Sequence, residues 1–348
     1  MQNTKIDIAD LFNNKDTTCP INIKVFGIGG AGGNAAQKIS NNNGVETFFI
    51  NTDLQVLNSN CSKNKIQIGK KLTSGLGAGG DMMVGANAAE ESLEDIKSIL
   101  QGTDLLFLSA GMGGGTGTGT IPVIAQTAKD MGILTVAIVT EPFKFEGTKR
   151  FKQSQTGIEN LEKSVDSLIV ISNDELLELV SRQISLKESF QFVDEVLLKS
   201  IQGISDIITT PGVINIDFSD IKNVLKDSGR GLIGIGIAQG EDRAKQACEL
   251  ALTSKLLKSS YHDAKGIIVN VAGNDVTLLE ISDIMEIINK SVNDNATIII
   301  GTSVDKTLDR NISVTIIATG LTSNTNMPLK DNPTLKTLNI ENLFKDNN

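Results

Sequence analysis

The chain has 348 residues, 40% of them hydrophobic, with 41 acidic against 32 basic side chains and a net charge of −9. That length is enough for two domains or one large one, and the acidic balance argues against a nucleic-acid binder, which carries a basic face. A single histidine, His262, beside the only tyrosine, Tyr261, argues against a His-centred triad or a His-rich metal site, and three scattered cysteines (Cys19, Cys61, Cys248) point to a reducing compartment.

No apolar run approaches the roughly 18–20 residues of a spanning helix. The first residues, Met1 to Asp7, lack the basic-then-apolar pattern of a signal peptide. The expectation is a cytoplasmic protein without direct membrane insertion. Residues 1–20 are polar and mixed and read as a loose N-terminal extension.

Ile21 to Ile28 reads as a strand that runs into a glycine-rich loop, Gly29 to Asn34, with a helix following through Ala35, Ala36 and Ile39. Gly27 to Gly32 fits GxGxxG, which alone is weak evidence for a dinucleotide site. Glu46 to Ile50 is the next strand, ending in Asn51-Thr52-Asp53. Asp53 stands near the position where a dinucleotide fold places its ribose-binding acid. A nicotinamide-dependent oxidoreductase is therefore one reading at this point. Ile66 to Ile68 is a short strand, Gly75 to Asp81 a third glycine-rich loop, and Met83 to about Leu100 a helix.

Asp104 to Ser109 is an apolar strand, followed by Ala110 to Thr120, in which six of eleven residues are glycine, and then a helix from Ile121 to Met131. A glycine-rich turn between a strand end and a helix start is where an open α/β sheet binds phosphate. Backbone N–H groups point outward, the helix N-terminus carries partial positive charge, and missing side chains let the anion approach. Ile133 to Val139 has the continuous apolar run of a parallel strand covered on both faces. A helix from Phe151 to Leu161 and a strand from Ser167 to Ile171 continue the alternation, which predicts a doubly wound parallel sheet.

Leu186 to about Ile208 is the longest helical pattern, its stripe of Leu186, Phe190, Val193, Leu197, Ile201, Ile204 and Ile208 reading as core, with a stop at Thr210-Pro211-Gly212. Ser219 or Asp220 is the expected cap of a helix through Ile221, Val224 and Leu225. Strands at Gly231–Ala238, Gly266–Val271, Ala296–Gly301 and Ile312–Ala318, with helices at Glu241–Leu257 and Leu278–Val292, predict a smaller α+β domain with a mixed sheet. From Leu321 onward polar residues dominate and a disordered tail is expected, with an apolar segment at Leu338 to Phe344.

Gly113-Gly114-Gly115-Thr116-Gly117-Thr118-Gly119 resembles the tubulin signature loop. The likeness extends in order through Gly29 to Asn34, Asn51 to Asp53, Gly75 to Gly79, Pro142 to Gly147, Asn215 to Asp220, Asp294 to Thr297 and Ala318 to Gly320. On these motifs, spanning roughly 21–320, the chain is identified as a member of the FtsZ family of tubulin-like cell-division GTPases. The resemblance implies a GTP-binding domain at 21–185, a central helix at 186–210 and a C-terminal domain with a catalytic loop at 211–320. It implies that Gly30, Ala31, Gly32, Gly33 and Asn34, together with Gly113, Gly114, Gly115, Thr116 and Gly117, cradle GTP or GDP. Glu146 and Arg150 would contact the nucleotide, Glu146 at the ribose, and Phe190 and Asp194 would take the guanine. Glu195 is the one-residue alternative to Asp194. Asn51, Asp53, Ala78 and Gly79 match loops near the terminal phosphate.

No GxxxxGK[ST] is present, so Mg²⁺ would supply the positive charge, with no side chains assigned as its ligands. Asn215, Asp217 and Asp220 match a catalytic loop that enters the nucleotide site of the next subunit. A head-to-tail homopolymer at the mid-cell division site follows from the resemblance, with other division proteins as partners of the tail. Two departures stand out: Gly80-Asp81-Met82 follows the third loop where the family has an Asn-Pro pair, and Leu338 to Lys345 has no proline and one lysine.

Overall fold

The structure is a computed structural model and describes residues 21–39, 44–60, 62, 64–178, 184–210, 212, 214, 216–254 and 261–321. The N-terminal extension, Cys19, Cys61, Pro211, Asn215 and the tail from residue 322 lie outside the described residues.

Strands β1 (Ile23–Ile28), β2 (Val45–Asn51), β3 (Lys65–Gln67), β4 (Leu105–Gly111), β5 (Leu134–Glu141) and β6 (Ser167–Ser172) pair in parallel in the order β3-β2-β1-β4-β5-β6. Between them run α1 (Gly29–Ile39), α2 (Leu54–Ser59), α3 (Lys70–Thr73), α4 (Met82–Glu91), α5 (Leu93–Leu100), α6 (Thr116–Asp130) and α7 (Thr148–Glu162). After β6 come α8 (Asn173–Leu177) and the long α9 (Leu186–Thr209). Alternate strand residues feed two cores. Val25, Phe107, Val136 and Ile138 pack with α1 and α9 on one face. Phe26, Leu106, Leu108 and Val139 pack with α5, α6 and α7 on the other. The doubly wound expectation holds, because central parallel strands are buried on both faces.

The second half contains α10 (Phe218–Leu225), β7 (Gly229–Ala238), α11 (Arg243–Leu252), β8 (Gly266–Gly273), α12 (Leu278–Ser291), β9 (Thr297–Val304) and β10 (Ile312–Thr319). Its strands are mixed, as expected: β10 is antiparallel to β7 and β8, and β8 is parallel to β9. They do not form a separate sheet, however. The start of β7 pairs in parallel with β6 through Ser167↔Gly229 and Ile169↔Gly231, giving one ten-stranded sheet. Isoleucines 201, 204 and 207 of α9 share a core with Ile268, Ile299 and Ile317, so α9 packs on both halves.

Three local expectations change. The predicted helix from Met83 to Leu100 is broken at Ser92, whose hydroxyl accepts from the Gly69 N–H at 3.1 Å. The glycine runs at 29–34 and 116–120 are helical rather than loop. Glycine costs about 1 kcal/mol per helical position, but here bulk is the larger problem: a Cβ at Gly32 would stand 2.1 Å from Ser109 O, and one at Gly119 1.9 Å from Met82 O. Those close approaches let α1 lie on β4 and α6 lie on α4.

Candidate functional site

The order of β1 to β6 reverses direction between β1 and β4, and an open α/β sheet binds ligands in the crevice at that switch point. Both glycine motifs leave the sheet there. Gly29, at φ 73°, turns the chain from β1 directly into α1. Gly111, Met112, Gly113 at φ 98°, Gly114 and Gly115 lead from β4 into α6. The two helix starts adjoin, since a Cβ at Gly29 would lie 3.4 Å from the Gly117 N atom.

The site is built to leave donors free. The Gly113 N–H is held by Thr118 Oγ1 at 2.8 Å, and Thr116 and Thr52 share a hydroxyl hydrogen bond of 2.7 Å. The N–H groups of Gly30, Ala31, Gly114, Gly115, Thr116 and Gly117 have no hydrogen-bond partner among the described residues. A Cβ at Gly30 or Gly114 would meet nothing within 4 Å, so a ligand can reach the backbone there. Unpaired N–H groups at two adjoining helix N-termini suit a chain of phosphates.

The loops at 51–53 and 75–77 are joined by a bridge between Asp53 and Leu76 and by the Gly77 N–H donating to Thr52 O at 3.3 Å. Asp53 caps α2: its Oδ1 accepts from Gln55 N at 2.8 Å and Val56 N at 3.1 Å. That structural duty weakens its reading as a ribose acid. The described residues contain no group of three or more His, Cys, Asp or Glu placed to hold a metal. A divalent cation at the site would take phosphate oxygens and water among its ligands, which is how Mg²⁺ commonly binds.

The other wall comes from β5, β6, α7 and α9. Phe190 is 40% exposed rather than core, and it meets Phe143 edge-on with ring centroids 5.3 Å apart. The stripe on α9 becomes buried only from Phe192 and Val193, leaving Leu186 and Phe190 beyond the core. Asp194 has no hydrogen-bond partner among the described residues, whereas Glu195 pairs with Lys38 of α1 at 3.1 Å. Burial pushes the Asp194 carboxyl up to about 6, with Lys38 pulling it down and Glu195 pushing it further up. Glu146 accepts from the Phe143 N–H at 2.9 Å through one oxygen and pairs with Arg150 through the other. Asn34 is exposed on α1.

One further polar group stands at the site: Asn173, the first residue of α8, whose side-chain oxygen is buried with no partner among the described residues at the C-terminal end of β6. Nothing in the local pattern marks it, because the signal is an orphaned acceptor and appears only in three dimensions.

Asp217 and Asp220 lie elsewhere. α9 has 24 residues, about 36 Å at 1.5 Å per residue, with Phe190 and Asp194 near its start. Its far end, at Asp206, Thr209 and Thr210, lines a cleft of about 500 Å³ with Asn270, Ala272 and Asp305. The segment after it is tied to β9 by the Ile214 N–H donating to Thr302 Oγ1 at 3.1 Å. Asp217 then occupies the N-cap position of α10, so Ser219 and Asp220 fall inside that helix. The Asp217 side chain makes no capping bond, and the exposed carboxylates of Asp217 and Asp220 have no partner among the described residues. The structure does not bring these acids to the glycine motifs of the same chain.

A family model described as the Tubulin/FtsZ family GTPase domain matches residues 22–181, and one described as the FtsZ family C-terminal domain matches 229–322. The chain belongs to the FtsZ family. Among solved structures it is similar to an empty FtsZ dimer from M. jannaschii, at 40% identity over 90% of this chain and 95% of that one, with a TM-score of 0.85. A mutant of M. jannaschii FtsZ is 43% identical over 86% of this chain and 91% of that one, with a TM-score of 0.83. CetZ2 from Haloferax volcanii, in a GTPγS-bound protofilament, shares the fold at 19% identity, over 88% and 95% of the two chains, with a TM-score of 0.72. Membership of the FtsZ family makes the chain a GTPase with a tubulin-like fold, and guanine nucleotide is its ligand. The oxidoreductase reading falls here: the sheet order of β1 to β6 is shared with dinucleotide folds and does not separate the two, but the matched family does. Among the described residues no helix is long and apolar enough to cross a membrane.

Proposed function

We propose that this FtsZ-family GTPase polymerises head to tail into filaments of the cytoplasmic division ring at mid-cell, and hydrolyses GTP at the junction between subunits. The observation that carries this reading is the separation of the two chemical halves. The N–H groups left without partners among the described residues lie toward the start of α9, and the Asp217 and Asp220 carboxylates, also without partners among those residues, follow its far end. A second copy stacked end to end supplies what one copy lacks, and such a heterologous contact extends into a filament.

Gly30 to Asn34 and Gly113 to Gly117 hold the phosphates by backbone N–H groups. Phe190 stacks on the base, and the free Asp194 carboxylate accepts from the N–H donors of guanine. The orphaned oxygen of Asn173 is a further acceptor on that side. Glu146 accepts from ribose hydroxyls, with Arg150 beside it. Mg²⁺, when bound, neutralises phosphate charge, and Asn51, Asp53, Ala78 and Gly79 border the terminal phosphate. Asp217 and Asp220 of the next subunit, with Asn215 in the same loop, orient the attacking water. The water oxygen bonds to the terminal phosphorus as the bond to the GDP oxygen breaks. Phosphoryl transfer requires mainly positioning and electrostatics, so two carboxylates suffice.

Exposed apolar side chains support the stacking. Leu76, in the loop at 75–81, and Phe145, in a 3-10 turn after β5, are 85% and 63% exposed at the nucleotide end, while Leu278 and Leu279 are both 79% exposed where α12 follows β8 at the other end. Sedimentation with GTP and Mg²⁺, beside GDP and NAD controls, tests the proposal. GTP-dependent pelleting is expected, and no pelleting or an equal response to NAD contradicts it. Other division proteins would join through the tail.

A further inference from the structure

The second turn of α7 places one carboxamide between two loops. Gln153 Nε2 lies 3.1 Å from Gly80 O, 3.2 Å from Gly113 O and 2.9 Å from Gly114 O. An amide oxygen turned toward three carbonyl oxygens would be repelled, so the nitrogen faces them and donates. Gly80 belongs to the loop at 75–81, and Gly113 and Gly114 belong to the turn between β4 and α6. Gln153 is the side chain that ties those two segments by hydrogen bonds among the described residues.

The tie has a direction. In a trans peptide the C=O of one residue and the N–H of the next point opposite ways. Carbonyls of Gly113 and Gly114 turned to Gln153 therefore turn the N–H groups of Gly114 and Gly115 away from it, and those are among the donors left without partners. The two segments also touch directly, since a Cβ at Gly115 would lie 2.8 Å from Ala78 Cβ and 2.8 Å from the Asp81 N atom. The α7 backbone abuts the same turn, because a Cβ at Gly113 would lie 2.9 Å from Arg150 O.

We propose that Gln153 is a positioning residue: its carboxamide latches the loop at 75–81 to the phosphate-binding turn and aims the Gly114 and Gly115 N–H groups at the terminal end of the nucleotide. This rests on the reading of Gly113 to Gly117 as a phosphate cradle. The guanine end of that cradle lies at Phe190 and Asp194, so the loop at 75–81 borders the opposite end, where GTP differs from GDP. Loss of the latch weakens GTP more than GDP.

The test compares Gln153→Leu, Gln153→Glu and Gln153→Lys in the full chain. Titration with fluorescent GTP and GDP analogues, at protein concentrations too low for assembly, reads the site. Hydrogen exchange of peptides covering 77–83 and 110–118 reads the tie itself, through the bonded Asp81 and Gly113 amides. In the Leu and Glu variants GTP binding weakens about tenfold, GDP binding weakens less, and exchange accelerates in both peptides together. Lysine restores donors at similar reach and recovers both readouts. Unchanged affinities, equal losses for GTP and GDP, or failure of lysine to rescue would overturn the proposal. If the unsubstituted chain binds no guanine nucleotide, the cradle reading fails and exchange alone decides the latch: joint acceleration supports it, and unchanged or one-sided exchange overturns it.

Discussion

Glu195 and Lys38 form a 3.1 Å ion pair between α9 and α1, and that pair decides which of two adjacent acids is available to a ligand. Glu195 is paired, and Asp194 has no hydrogen-bond partner among the described residues. Asp194→Asn is therefore expected to weaken guanine nucleotide binding about 10- to 100-fold, the range for losing hydrogen bonds to a charged acceptor. It should also improve xanthine nucleotide binding, because the new amide donates to the oxygen that xanthine carries where guanine has an amino group. Glu195→Gln should leave base preference unchanged. Competition titrations with the two nucleotides check both variants.

The same carboxyl gives a pH dependence with two opposite signs. Burial raises it to about 6 in the free chain, above the usual carboxylate value of 3.8. Above about 6 the folded protein carries a poorly solvated charge, and stability from this group grows as pH falls from there toward 3.8. In the proposed role Asp194 accepts from guanine in its ionised form, so affinity should be level well above pH 6 and fall toward about tenfold per unit well below it. GDP titrations between pH 5 and 8 check this, with Asp194→Asn expected to be flat over the same range.

Glycines at the site fall into two classes. A Cβ at Gly32 would stand 2.1 Å from Ser109 O, so Gly32→Ala should cost about 1–3 kcal/mol or more through overpacking. At Gly30 a Cβ would meet nothing within 4 Å, so Gly30→Ala should melt like the unsubstituted chain. Its loss should appear in nucleotide affinity alone. Thermal melts beside GDP titrations separate the two outcomes.

Leu278 is 79% exposed beside the capping box in which the Thr277 hydroxyl accepts from the Glu280 N–H. Leu278→Glu should leave the melting temperature and GDP affinity unchanged while raising the protein concentration needed for GTP-dependent pelleting. An unchanged threshold would remove this leucine from the subunit contact.

Much of this was legible in the residues. Alternation of apolar runs and glycine turns gave the parallel sheet, and the apolar stripe from Leu186 marked where α9 begins. What escaped depends on contacts distant in sequence. Gly29 to Asn34 reads as loop because glycine disfavours helix, yet close packing on β4 makes it helical. Phe190 has the spacing of a core residue, yet it is 40% exposed near the start of α9, ahead of the buried Phe192 and Val193. The joining of β6 to β7 spans 62 residues from Ser167 to Gly229 and leaves no local pattern.

Whether one active site is assembled from two chains can be read by mixing two variants that are each expected to be inactive. Asp217→Ala keeps the nucleotide cradle and lacks one of the two carboxylates proposed to orient the water. Gly114→Asp places a carboxylate in the open cradle, where a phosphate would lie, and keeps Asp217. Neither variant is expected to release phosphate from GTP alone, and the mixture is expected to, because the intact loop of one chain meets the intact cradle of the other. A mixture as inactive as its components, or full activity of Asp217→Ala by itself, would contradict it.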